Sequence, residues 1–200
     1  ELLDGKKGII LLSCWAHARR KFSDAIKNDR ERAESALEQI QLLYEVERQI
    51  KDQALCFEEA AKLRVRLAYP IMVRFEKWLV AEHAKVIKGS PIEKAILYTY
   101  NRFNKLSRYH LDGRYNIDNN GIENAARPVA VGRKNYLFCQ NDTAESTAII
   151  YSFMGCCKAA KVNFRTWMIY FLDHVHDYDQ DYTRDIAELL PDNLKDAGVL

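Results

Sequence analysis

The sequence predicts a mainly α-helical fold with a few short strands, and three observations carry that expectation. Apolar residues recur every three or four positions from about residue 15 to 110. Only two short apolar runs, Gly8 to Cys14 and Tyr136 to Phe138, have the length and bounding turns of strands. The stretch from Glu31 to about Ala84 is rich in Ala, Leu, Glu, Gln, Lys and Arg, the better helix formers.

Taken in order, Gly8 to Cys14 (GIILLSC) follows an Asp4-Gly5 turn signal and reads as a buried strand. From Trp15 the period becomes helical, with Trp15, Ala18, Phe22, Ala25 and Ile26 on one face and Arg19, Arg20 and Lys21 around it. Leu37, Ile40, Leu43, Tyr44 and Ile50 mark the next helix. Pro70, lacking an amide donor, must end one helix or open another. Ile71, Phe75, Trp78 and Leu79 form a further stripe. Gly89-Ser90-Pro91 is a break followed by a helix start, with Ser90 as N-cap and Pro91 in the first helical position. That helix carries Ile92, Ala95, Ile96, Tyr100 and Phe103 inward and stops near Asp112-Gly113.

Beyond Gly113 the texture changes. Asn116 to Asn120 is rich in turn formers, Gly121 to Arg127 suits a short helix, and Pro128 is expected to interrupt it. Gly132 to Asn135 reads as a loop. Asp142 with Glu145 resembles a capping box opening a helix through Ile149, Phe153 and Met154 to Ala160. A last helix holds Phe164, Trp167, Met168, Phe171 and Leu172. Trp15, Trp78 and Trp167 are best placed as core anchors.

A chain of 200 residues, 48% hydrophobic and 29% charged, can bury a core as one large domain or two small ones. No apolar run approaches the roughly 20 residues that span a bilayer, and Glu1 to Lys7 lacks the build of a secretory signal. The five cysteines have neither disulfide-framework nor zinc-site spacing; Cys14 and His17 form one Cys-x-x-His pair with no second pair to match. Reduced thiols in a cytoplasmic protein are expected. A net charge of +2 is too mild to imply nucleic acid by itself. Its distribution says more, with basic clusters at Arg19, Arg20, Lys21 and at Arg127, Arg133, Lys134. The chain opens on Glu1 rather than Met, and a piece of a longer protein is expected.

Two stretches stand out: Cys14-Trp-Ala-His-Ala-Arg-Arg-Lys-Phe22, and Ile117-Asp-Asn-Asn-Gly-Ile-Glu-Asn-Ala-Ala-Arg-Pro-Val-Ala-Val-Gly-Arg-Lys-Asn-Tyr-Leu-Phe138. Together and in this order they resemble the transposases of the insertion-sequence sixty-six family, whose members show a C-W-A-H-x-R-R-K-F element and, far downstream, a D-N-N-x-x-E-R-x-x-R-P-x-x-x-G-R-K-N-x-L-F element. The likeness is strong at both motifs and rests on helical pattern alone between about 30 and 110. It implies a partial ribonuclease-H-like core of the DDE type carrying a large all-helical insertion. The implied division is a last core strand and its following helix in 1–29, the insertion in 30–112, and a Glu-bearing helix with C-terminal helices in 113–200.

The resemblance also implies a chemistry. Three carboxylates of such a core bind two divalent ions, Mg²⁺ or Mn²⁺, which activate the attacking oxygen and stabilise the leaving one. By resemblance Glu123 is the third carboxylate, both catalytic and metal-binding, and the other two fall before the first motif. Asp4 reads as a turn residue rather than one of them. A lone Glu cannot hold two metals, so the isolated chain is expected to be inactive and to bind no metal stably. Arg127, Arg133 and Lys134 are implied contacts to DNA phosphates. Asn124 departs from the family, which has Arg there.

The residues read by themselves also allow blander roles. Asn120 as N-cap would put Glu123 at the third helical position, where Glu reaches back to the cap, and Glu123 could pair with Arg127 four residues on. Asp118 suits a turn and His17 a packing role. Arg19, Arg20 and Lys21 stand evenly between DNA contact and the solvated side of a core helix. The expected function is DNA cutting and strand transfer of a bacterial insertion sequence, with double-stranded DNA at transposon ends as partner, a cytoplasmic location, no membrane, and a homodimer through the unpaired strand at Gly8 to Cys14. The alternative is a non-catalytic helical DNA-binding or assembly module.

Overall fold

The computed structural model describes residues 8–135, 143–180 and 183–200, with the backbone alone at 134, 135, 179 and 180. These residues divide into two units, one running to Gly121 and the other beginning at Ile122.

The first unit is built from helices α1 (Trp15–Ala25), α2 (Arg30–Asp52), α3 (Phe57–Leu63), α4 (Tyr69–His83), α5 (Pro91–Asn101) and α6 (Phe103–Ser107), ending in a 3₁₀ turn at Arg108–Leu111. α1 buries Trp15, Ala18, Phe22 and Ala25, the three-to-four spacing of one helical face. That face packs on α2 and α5, where Ile40, Leu43, Ala95 and Ile96 are buried. Trp15 lies edge-on to Phe103, with ring centroids 6.2 Å apart, and its indole N–H donates to the buried Leu106 carbonyl at 3.0 Å. A core tryptophan is thereby both packed and hydrogen-bonded. Helix starts follow local chemistry. Ser90 accepts from the Glu93 amide at 3.2 Å, as its sequence position predicts, while Glu93 accepts from the Gly89 amide at 2.8 Å.

Pro70 stands in the first turn of α4, as a helix opener would, but no break precedes it. α3 runs into α4 through a π-helical segment, Arg64–Ala68, placed just before the proline. Widening the turn accommodates the missing donor without breaking the rod. Arg64 on this segment is buried: its guanidinium donates to both carboxylate oxygens of Glu47 at 2.9 and 2.7 Å and to the Tyr109 and Asp112 carbonyls at 3.1 and 2.9 Å.

The second unit holds most of α7 (Asn120–Asn135), with α8 (Ala144–Ala160), α9 (Phe164–Gln180), a 3₁₀ turn at Ile186–Leu189 and α10 (Pro191–Asp196). Its core is small. Cys157, Trp167 and Leu194 are buried with Phe153, Phe164 and Phe171 around them. Trp167 stacks on Phe153 at 4.8 Å and donates to the Leu189 carbonyl at 2.9 Å. Ile149, Met154, Ile169 and Leu172 are exposed although they lie in the apolar runs of α8 and α9.

Several expectations are corrected. Among the described residues there is no strand, so the expected partial ribonuclease-H-like core is absent and the fold is α-helical. Residues 9–14 carry no strand pairing: Ser13 N–H donates to the Lys105 carbonyl at 3.1 Å, and the Leu11 carbonyl accepts from Arg108 at 3.3 Å. A strand exists only through a ladder with another, and the neighbours of this segment are helices. The dimer expected through its strand edge thus loses its premise. Tyr136 to Phe138, expected as a strand, and Asp142 of the expected capping box lie outside the described residues. Pro128 does not interrupt α7, which runs through it and makes Gly132–Asn135 helical. Residues 121–128 are exposed, so the Asn124 carbonyl that the proline leaves without a donor can meet water.

Candidate functional site

Asp118 organises the start of α7. One carboxylate oxygen accepts from the Asn120 amide at 3.1 Å, an Asx turn of the kind its sequence position predicts. The other accepts from the Tyr44 hydroxyl of α2 at 2.9 Å. Burial first, and then the bond to Asp118, push the Tyr44 hydroxyl's pKa upward, so it remains a protonated donor. Since α7 begins at Asn120, Glu123 is its fourth residue rather than the third position after an Asn120 cap.

Glu123 is exposed on the first turn of α7, where the positive end of the helix dipole favours a negative charge. Arg127, one turn further, is exposed as well. Arg133 is exposed on the same helix rather than in a separate loop, and ten residues of helical rise put it about 15 Å from Glu123. The backbone of Lys134 belongs to α7, and its side chain lies outside the described residues. Positions 123, 127 and 134 fall within about 40° of one another around the helix axis.

In the first unit, Arg19, Arg20 and Lys21 are all exposed on α1, but their surroundings differ. The Lys21 ammonium lies 5.6 Å from the Tyr98 ring centre on α5. Arg19 and Arg20 instead line a cavity of about 420 Å³ with Ala16 and Ser23 of α1, Gln41, Tyr44 and Arg48 of α2, and Asn120. Sequence reasoning missed the α2 contribution. The signal available was the spacing of Gln41, Tyr44 and Arg48, three and four residues apart on one helical face.

A two-metal centre needs several carboxylates converging on one point. Among the described residues no three His, Cys, Asp or Glu side chains gather so as to hold an ion. Glu123 by itself cannot make such a centre. His17 and Cys14 are half-buried on and before α1, in keeping with a packing role. No helix among the described residues is long and apolar enough to cross a membrane.

A family model described as "Transposase IS66 family" matches residues 2–147, a span that includes both sequence motifs. Similar curated proteins come from Sinorhizobium fredii and are themselves uncharacterized. The protein y4hP is 31% identical over 199 residues, covering 92% of this chain and 35% of its own length. The protein y4jD is 30% identical over 189 residues, covering 92% and 36%. A third, y4qI, is 31% identical over 195 residues, covering 96% and 35%. This chain therefore spans about a third of the length of the curated relatives it matches. No solved structure matches it.

Proposed function

Because this chain belongs to the IS66 family of transposases, we propose that it is the DNA-handling portion of a transposase which cuts and joins the ends of a bacterial insertion sequence. In this reading Glu123 supplies one catalytic, metal-binding carboxylate to a centre completed by carboxylates outside the chain. Mg²⁺ or Mn²⁺ is then the cofactor of the complete enzyme, since hard oxygen ligands suit those ions. Arg127, Arg133 and Lys134 of α7, with Arg19, Arg20 and Lys21 of α1, contact phosphates of double-stranded DNA without reading sequence. The work takes place in the bacterial cytoplasm.

The observation that supports this most is the placing of Glu123. It is exposed at the head of α7 with Arg127 one turn away, not closed into an apolar interior. The purified chain is expected to bind double-stranded DNA in a strongly salt-dependent way and to cut nothing. Arg133→Ala with Lys134→Ala weakens binding, and Glu123→Ala leaves it intact. Mg²⁺-dependent nicking by this chain, lost in Glu123→Ala, would overturn the view that its catalytic centre is incomplete.

A second reading, a non-catalytic DNA-binding or assembly module, draws on the arginine-lined cavity between α1 and α2, which needs no carboxylate chemistry. It prevails if Glu123→Gln in a full-length version leaves DNA cutting unchanged.

A further inference from the structure

We propose that the cavity between α1 and α2 is a seat for the phosphodiester backbone of a DNA strand, with Arg48 of α2 as a contact alongside Arg19 and Arg20. The inference rests on the DNA-binding reading above and extends it to a helix outside both sequence motifs.

Three arginines and no acidic residue line the cavity, and its other lining groups are mostly polar: Ser23, Gln41, Tyr44 and Asn120. Ala16 and Ser23 are small, which keeps the α1 wall open between the arginines. A volume of about 420 Å³ falls in the range of ligand-sized clefts and has room for a sugar-phosphate unit. Arg48 is exposed yet held. With the Gln41 carboxamide turned so that its oxygen faces the guanidinium, Gln41 accepts from Arg48 at 3.1 and 3.3 Å. Glu45 pairs with Arg48 through Nη2, one of the nitrogens that meet Gln41, at 3.3 Å. A guanidinium held in this way, with Nε–H outside both contacts, can still meet a phosphate oxygen through a charge-assisted hydrogen bond. The aromatic at the cavity wall is tied elsewhere, because the Tyr44 hydroxyl is committed to Asp118. Charge without a free stacking platform favours backbone contact over base recognition.

Glu45 supplies a test in the opposite direction. Its carboxylate draws on the charge that a phosphate would use, and removing it leaves Arg48 uncompensated. The full chain, with Arg48→Ala and Glu45→Gln variants, is titrated by fluorescence anisotropy with a short duplex of arbitrary sequence across a salt series. Arg48→Ala is expected to weaken binding several-fold and to flatten the log-log salt dependence by about one. Glu45→Gln is expected to tighten binding about two-fold or more, an outcome that damaged folding cannot mimic. If the wild-type chain binds and Arg19→Ala weakens it while both α2 variants match wild type, the cavity proposal falls and the DNA reading stands. If the wild-type chain binds no duplex even at low salt, the DNA reading itself falls. Inorganic phosphate is the second probe: if it shifts the Arg48 and Asn120 amide resonances while duplex DNA leaves them unmoved, the cavity holds a free anion and the strand proposal is overturned.

Discussion

The Tyr44 hydroxyl donates to Asp118 across 2.9 Å, tying the middle of α2 to the turn from which α7 starts. The same carboxylate caps the Asn120 amide, so one side chain holds both the middle of α2 and the turn at Asn120. Tyr44→Phe removes one partly buried hydrogen bond and is expected to cost about 1 kcal/mol. Asp118→Ala also frees the Asn120 amide and should cost more, on the order of 1–3 kcal/mol. Urea melts give both values. Equal costs would mean that the Asn120 contact contributes nothing.

The pH response of Tyr44 has a definite sign. Burial and Asp118 raise its pKa in the folded chain above the ordinary value, which is about 10. The stability it contributes is therefore fully present below pH about 10 and falls as pH climbs beyond. Melting temperatures from pH 8 to 11.5 should decline more steeply in the wild type than in Tyr44→Phe. Parallel declines would refute the linkage. Tyr109, also raised by burial, is common to both proteins and cancels.

Asp112 titrates at the other end of the scale. Hydrogen bonds from the Arg114 side chain and amide lower its pKa to about 2. The carboxylate should thus stay ionised in the folded chain until pH falls to about 2. The stability tied to it is fully present above the ordinary carboxylate value of about 4 and is lost as pH falls from there through the folded value. In a carbon-detected NMR titration, Arg114→Ala should return Asp112 toward about 4. An unchanged midpoint would show that the side-chain contact is not the cause.

Arg64 and Glu47 form a largely buried pair 2.7 Å apart. Arg64→Ala takes the guanidinium from the Glu47 carboxylate and the Tyr109 carbonyl, while the Asp112 carbonyl keeps the Tyr115 amide at 3.1 Å. The expected loss is about 3–5 kcal/mol in denaturant melts. Arg64→Met with Glu47→Leu should recover much of it, because breaking a buried pair costs more than replacing both partners. A double variant no better than the single one would place the cost in the π segment instead.

Pro128 sits inside α7 with an exposed neighbourhood. Pro128→Ala restores one amide donor and is expected to stabilise the helix, on the order of 1–3 kcal/mol. Slower amide exchange at residues 125–130 would show it. Faster exchange would mean that the proline holds the helix through contacts of its ring.

Local chemistry made some of this protein legible in its residues alone. The helical faces of α1 and α2, the Ile92, Ala95 and Ile96 stripe of α5, and the start of α5 at Ser90-Pro91 follow from the residues, because caps and amphipathic stripes depend on neighbours a few positions away. Tyr100, expected inward, is exposed, and α5 stops at Asn101 with Phe103 on α6. The two motifs carried the family likeness without any coordinates. What depended on distant partners was misread or missed. Gly8 to Cys14 has a strand's composition, but only another strand could make it one, and it meets helices. The π segment before Pro70 and the unbroken α7 through Pro128 hold because the chain around each proline absorbs the missing donor. The meeting of Arg48 with Arg19 and Arg20, and of Tyr44 with Asp118, joins residues far apart in the chain. Only the packing of α2 on α1 decides such encounters, since tertiary contact, unlike helical period, leaves no local signature.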